Sequence, residues 1–172
     1  MRAEEQTSRH LLLASVTTAF SGIIILITLV MSWEFWMVPL MITGCFCVWF
    51  LHIARLGSDV FFEYLSAGVM LIEFFFFGVH ETSLFDIPAM ACILILALFM
   101  LNKKRILYMI DALYVLELAY HGLILNTISY RMEPREVFRL GLSVVVTIGA
   151  TALSVYWINR RNMQRKWYER VF

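Results

Sequence analysis

Charge is what this chain has least of. Only 16% of its 172 residues are charged and 61% are hydrophobic, with a mean hydropathy of +0.77. A soluble domain carries about 25% charged residues. The deficit excludes a water-soluble globular domain and places the chain in a bilayer. The net charge of +1 gives no case for a nucleic-acid partner. Polar stretches are equally scarce. None exceeds about 15 residues, which leaves no room for a soluble catalytic domain. The phosphate-cradling G-x-x-x-x-G-K-S/T, the dinucleotide G-x-G-x-x-G, the zinc motif H-E-x-x-H and the nucleophile elbow G-x-S-x-G are all missing. No internal repeat or low-complexity segment stands out. No cofactor is implied.

Cysteine is scarce too. Cys45, Cys47 and Cys92 all sit inside apolar runs. An odd, membrane-buried set is no disulfide framework. Cys45 and Cys47 are two apart, so on a helix they point to different faces and make a poor metal pair. No metal site is expected.

What is present is a series of apolar runs. Leu11–Met31 follows a polar start and is long enough to cross a hydrocarbon core of about 30 Å. It is too long for a signal-peptide core, and its flank carries Glu4 and Glu5. Trp33 and Trp36 in the turn SWEF suit a membrane–water interface. The second run is Trp36–Ile53, with Pro39 in its first turn, where a missing N–H is harmless. His52 and Arg55 mark its polar end. The third run, VFFEYLSAGVMLIEFFFFGV, and the fourth, IPAMACILILALFML, flank the acidic connection HETSLFD. The fourth is the shortest, about 18 residues even when taken from Phe85 to Asn102. Ile106–Leu125 is the fifth run and the most polar inside; Leu140–Ile158 is the sixth. The chain then ends in the basic NRRNMQRKWYERVF.

The pattern predicts an all-α fold, an integral membrane bundle of six transmembrane helices. Residues 1–158 form the membrane domain and 159–172 a basic juxtamembrane helix. No Gly or Pro separates Leu140–Ile158 from Met163, Trp167 and Val171, which recur every four residues. The last helix therefore continues into the tail, from about Val137 onward. Six crossings put both termini on one side. The first segment, the Arg55 turn, NKKR and the tail hold 11 of the 14 Lys and Arg; Arg131, Arg135 and Arg139 lie opposite. The positive-inside rule makes both termini cytoplasmic.

Ionisable residues inside apolar runs are costly in lipid and are functional candidates by default. Glu73 lies inside the third run, while His80, Glu81 and Asp86 line the turn that follows. Asp111, Glu117 and His121 lie in the fifth. At 1.5 Å per residue, Glu73 lies about 15 Å beyond Glu63, and Asp111, Glu117 and His121 lie about 9, 18 and 24 Å beyond Arg105. Two layers follow. Glu63 and Asp111 form an inner one. Glu73, Glu117 and His121 form a middle-to-outer one, near His80 and Glu81, as a site for ligand or proton sensing. Glu117 and His121 are four apart and share a helix face. Three readings stay open for them: a hydrogen-bonded packing pair, a ligand or proton site, and a transition-metal site. The quartet Phe74–Phe77 covers a whole helix turn, for core and lipid contact or for an aromatic pocket beside Glu73. Small residues repeat every four positions at Ala14, Thr18 and Gly22, and at Ala150 and Ser154, which favours close helix packing.

The phrases SWEFWMVPLMITG, CVWFLHIAR and EFFFFGVHETSLFDIPA resemble the N-terminal membrane region of sensor histidine kinases, often hybrid ones, from anaerobic Gram-positive bacteria. The tail INRRNMQRKWYERVF is similar to the helix that joins such a region to a dimerising kinase core. The resemblance implies a sensory input module in a bacterial cell membrane. It would be a homodimer through the last helix and tail; the expectation of a small ligand comes from the buried polar residues and not from the resemblance. The phosphoacceptor and ATP-binding domains of that family lie outside this chain, which would then be non-catalytic. A small transporter or ion- or proton-conducting subunit using Glu73, Asp111 and Glu117 is the rival from a different class. A membrane enzyme built on His80 and His121 ranks last.

Overall fold

The computed structural model describes residues 2–80, 86–123 and 133–171, with the side chains of residues 2–6, 165 and 169–171 left out. Among these residues the regular structure is helical throughout. The helices are α1 (Arg2–Val30), α2 (Met37–Ala54), α3 (Asp59–His80), α4 (Asp86–Phe99), α5 (Lys104–Leu123) and α6 (Pro134–Val171). They form two units, residues 1–80 and 81–172. In the first, α1, α2 and α3 each pack on the other two; in the second, α4, α5 and α6 do the same.

Helix ends follow local chemistry. Ser58 caps α3, its hydroxyl accepting the Phe61 N–H at 3.2 Å. Glu133 precedes Pro134, whose missing N–H is harmless at the first helical position, and the Glu136 carboxylate accepts the Glu133 N–H at 3.1 Å. Ser32, Arg55 and Asn102 end their helices with φ of 55°, 52° and 58°. After Ser32, the Trp33 N–H reaches back to the Thr28 carbonyl at 3.0 Å; after Arg55, the Leu56 N–H reaches the Leu51 carbonyl at 3.2 Å. Both closures satisfy carbonyls that a helix end leaves bare.

The surface is apolar and the interior holds the hydroxyls. Val30, Phe46, Ile53, Leu96, Leu123 and Val145 are all well exposed, whereas Thr17, Ser21, Thr28, Ser66, Thr147 and Thr151 are buried. Water would not tolerate that distribution; lipid does. Three of the buried hydroxyls donate to the preceding turn: Thr17 to Leu13 O at 2.9 Å, Thr28 to Ile24 O at 2.8 Å and Thr147 to Ser143 O at 2.9 Å. Hydroxyls satisfied in this way cost little inside a helix bundle and let helices approach closely.

Among the described residues five helical segments are long and apolar enough to cross a membrane: Thr7–Val30, Met37–Ala54, Asp59–His80, Lys104–Leu123 and Pro134–Tyr168. The sixth, α4, has 14 residues. That is about 21 Å of helix, against about 30 Å of hydrocarbon. The expected fourth run to Asn102 is cut short because the chain tightens there. Leu101 N–H bonds Leu98 O at 3.0 Å and Asn102 N–H bonds Phe99 O at 3.1 Å, three-residue turns that end the helix. The continuous last helix is observed, with α6 running 38 residues without a break. The small-residue row of α1 is displaced from its expected register. The buried face is Ala14, Thr17, Ser21, Ile24 and Thr28, while Gly22 has nothing within 4 Å of an added Cβ.

Candidate functional site

In the first unit polar groups tie α1 to both neighbours. Near the start of α1, Arg9 pairs with the buried Glu63 of α3 at 2.9 Å, and His10 stands 3.4 Å from Asp59. The His10 ring stacks on Phe62 with centroids 4.3 Å apart. Midway along, the Glu73 carboxylate accepts the Ser21 hydroxyl at 2.5 Å. Glu73 is 2% exposed, and its second oxygen, Oε2, has no hydrogen-bond partner. Trp49 Nε1–H donates to Thr18 at 2.8 Å, joining α2 to α1. At the far end, His80 Nδ1–H donates to Phe76 O at 2.8 Å and Nε2 lies 2.6 Å from the Glu34 carboxylate. The imidazole lies 5.4 Å from the Trp33 ring.

The phenylalanine quartet divides its labour. Phe74 and Phe77 are core residues, Phe75 is exposed, and Phe76 sits edge-on to Trp36 at 5.5 Å. Beside Phe76, between α2 and α3, lies a crevice of about 240 Å³ that Glu73 also lines.

In the second unit the fifth helix carries a buried polar stripe. Tyr114, Glu117 and His121, at i, i+3 and i+7, are 1%, 0% and 1% exposed. Neither Glu117 oxygen has a hydrogen-bond partner among the described residues. Glu117 and His121 share this buried face. Asp111, half-buried, accepts the Thr151 hydroxyl of α6 at 2.9 Å. Asn102 Nδ2–H donates to Asn162 of α6 at 2.9 Å, and the Arg161 guanidinium lies 5.6 Å from the Phe99 ring. The last helix is thus tied at Thr151 to α5 and at Arg161 and Asn162 to the end of α4 and the turn that follows it. Beyond Asn162, Met163 and Trp167 stay exposed.

The structure places Glu63, Glu73 and His80 in the first unit and Asp86, Asp111, Glu117 and His121 in the second. Glu81 lies outside the described residues. Asp86 is exposed in the first turn of α4, where a carboxylate favours the helix N-terminus. Among the described residues no group of three or more His, Cys, Asp or Glu is placed to hold a metal ion. Sequence reasoning missed Ser21, Tyr114, Thr151 and Glu34. Ser21 was findable, since Thr17, Ser21 and Thr28 share one face of an otherwise apolar helix. Tyr114 likewise lies on the face of Glu117.

Apolar exposure, helix length and buried hydroxyls together define a multi-pass α-helical membrane protein. The chain matches no family model, no curated protein and no solved structure.

Proposed function

We propose that the chain is a membrane-embedded sensory module that passes a stimulus through α6 to a cytoplasmic output, as the input region of a bacterial histidine kinase does. One observation carries this reading. The last helix is continuous over 38 residues, contacts the α5 carboxylate Asp111 through Thr151, and runs past its last tie at Asn162 into an exposed stretch with Met163 and Trp167. A change of packing on α5 then has a stiff path out of the membrane. Glu117, uncompensated on the same helix, is the group whose occupancy or proton would bias that packing. The pair His80–Glu34 is a second input point, at the far end of the first unit.

The topology that goes with this reading has six crossings and two cytoplasmic termini in a bacterial cell membrane. The Lys and Arg distribution supports it, and α4 crosses by local thinning of the bilayer. The exposed tail face pairs with its copy in a homodimer, while basic residues such as Arg160 and Lys166 rest on anionic headgroups.

A proton- or cation-conducting subunit is the second reading. It is favoured by Glu117, a fully buried carboxyl with no hydrogen-bond partner among the described residues. One experiment separates them. A spin label replaces Met163 in nanodisc-embedded protein, and Glu117→Gln is introduced. The sensory reading expects a changed label mobility or interspin distance, with no proton flux in liposomes from either form. Flux that Glu117→Gln abolishes, with an unmoved label, overturns it in favour of conduction.

A further inference from the structure

A polar pocket opens where the three spans of the first unit reach one membrane boundary. Those spans are Thr7–Val30, Met37–Ala54 and Asp59–His80, and the pocket draws on their ends. It measures about 260 Å³ and is lined by Thr7 and His10 of α1, His52 of α2, Arg55 in the turn, and Asp59 and Phe62 of α3. Among the described residues Arg55 is the permanent cation that lines it and Asp59 the carboxylate. Both can be reached by a ligand. Arg55 is exposed, and the Asp59 side chain is 51% exposed. Left-handed backbone at Arg55 and Gly57, with φ of 52° and 86°, keeps the turn tight, so the two charges line one pocket.

The imidazoles add donors. The His10 ring stacks on Phe62 at 4.3 Å, and the His52 ring lies 6.5 Å from His10. Each imidazole has at least one N–H donor in any protonation state. A simple anion would suit Arg55 and these N–H groups but be repelled by Asp59. A simple cation would suit Asp59 and be repelled by Arg55. A ligand carrying both signs makes a charge-assisted hydrogen bond to each. In the headgroup layer of a bilayer, zwitterionic phospholipids have that chemistry. The volume lies below the usual small-molecule range of about 300–1,000 Å³, so it admits a headgroup and not the chains behind it. Asp59, an acceptor, prefers a primary ammonium with its N–H donors to a quaternary one that has none.

We propose that this pocket binds the phosphoethanolamine headgroup of a membrane lipid, with the phosphate on Arg55 and the imidazole N–H groups and the ammonium on Asp59. No bond is made or broken, and the chains stay in the bilayer. The site rests neither on the sensory reading nor on which face of the membrane the pocket occupies.

The test is native mass spectrometry of the full chain in detergent. Phosphatidylethanolamine, phosphatidylglycerol and phosphatidylcholine with the same acyl chains compete at equal mole fractions. The expected result is saturable retention of one ethanolamine lipid per chain, preferred at least about fivefold over either competitor, as suits partly exposed ion pairs. Asp59→Asn should bring the three lipids to within about twofold of one another. Arg55→Asn keeps the left-handed backbone, which asparagine tolerates, and should weaken retention of the ethanolamine lipid at least about fivefold. Soluble phosphoethanolamine and inorganic phosphate, each added at the lipid's concentration, should leave the lipid bound. Displacement by either assigns the pocket to a water-soluble phosphate and overturns the proposal. Equal retention of the three lipids by the unaltered chain overturns it too, as does an unchanged preference in a folded Asp59→Asn or undiminished retention by Arg55→Asn. Should a variant not fold, the contrast among the three lipids and the displacement result decide.

Discussion

The two three-helix units treat buried acids differently. In the first, Glu63 has an arginine at 2.9 Å and Glu73 a hydroxyl at 2.5 Å, and both bonds tie α3 to α1. In the second, neither Glu117 oxygen has a hydrogen-bond partner among the described residues. The first unit uses its carboxylates as clamps. The second keeps its most buried one uncompensated, on the helix next to α6. A polar group left bare in a low-dielectric interior is costly, and such cost persists where a ligand, an ion or a proton relieves it.

Removing a clamp should hurt most. Arg9→Leu leaves Glu63 buried without its cation. Losing one partner of a buried pair costs about 3–5 kcal/mol, and exposed pairs are worth about 0–1 kcal/mol. Arg9 is 43% exposed, so a loss of about 2 kcal/mol is expected, read as a lower thermal midpoint in detergent. The double variant Arg9→Leu with Glu63→Leu should recover most of it. A single-variant loss that the double does not recover would mean that Glu63 is no clamp.

The same operation in the second unit should have the opposite sign. Glu117→Leu removes a buried polar group that no partner misses. Replacing buried ionisable groups by apolar ones is often stabilising by about 1–4 kcal/mol, so the thermal midpoint should rise by the equivalent of about 1 kcal/mol. A fall of similar size would show that Glu117 has a structural partner, and the contrast between the units would collapse.

Smaller effects test single bonds. Thr151→Val removes the donor to the half-buried Asp111 and should cost about 1 kcal/mol. Trp49→Phe removes the donor to Thr18 at a more exposed site and should cost about half as much. Equal losses would say that exposure to the lipid side does not weaken these ties.

Much of the fold was legible because hydrocarbon length and hydropathy leave few choices. Helix positions and the unbroken last helix follow from breakers and periodicity alone, although that helix begins at Pro134, one turn before the expected Val137. The length of α4 did not follow. Its end at Phe99 is set by backbone turns at Leu101 and Asn102 and by the Asn102–Asn162 contact, which links residues far apart in the chain. The candidate acids were legible as costly residues in apolar runs. Their partners were not, because Arg9, Ser21 and Thr151 are brought to them by tertiary packing. The displaced face of α1 shows the limit of counting small residues. Ala14, Thr18 and Gly22 make a regular row, but the hydroxyl row one position away, Thr17 and Ser21, is the one that meets Glu73 and is buried.

Gly22 and Gly149 give the smallest and last comparison, one glycine from each unit. Both are helical, and an added Cβ at either meets nothing within 4 Å. Glycine inside a helix costs about 0.5–1 kcal/mol relative to alanine. Gly22→Ala and Gly149→Ala should therefore each raise the thermal midpoint of the monomer by the equivalent of about 0.5 kcal/mol. The two positions part company if copies of the chain associate through α6. A second helix packing closely at Gly149 would meet the new methyl, so the gain there should vanish or reverse in bilayers that favour association, while Gly22→Ala keeps its gain. The measurement is thermal unfolding of both variants in detergent and in nanodiscs loaded with two copies. Gains that stay equal in both media would exclude close packing of a second copy at Gly149.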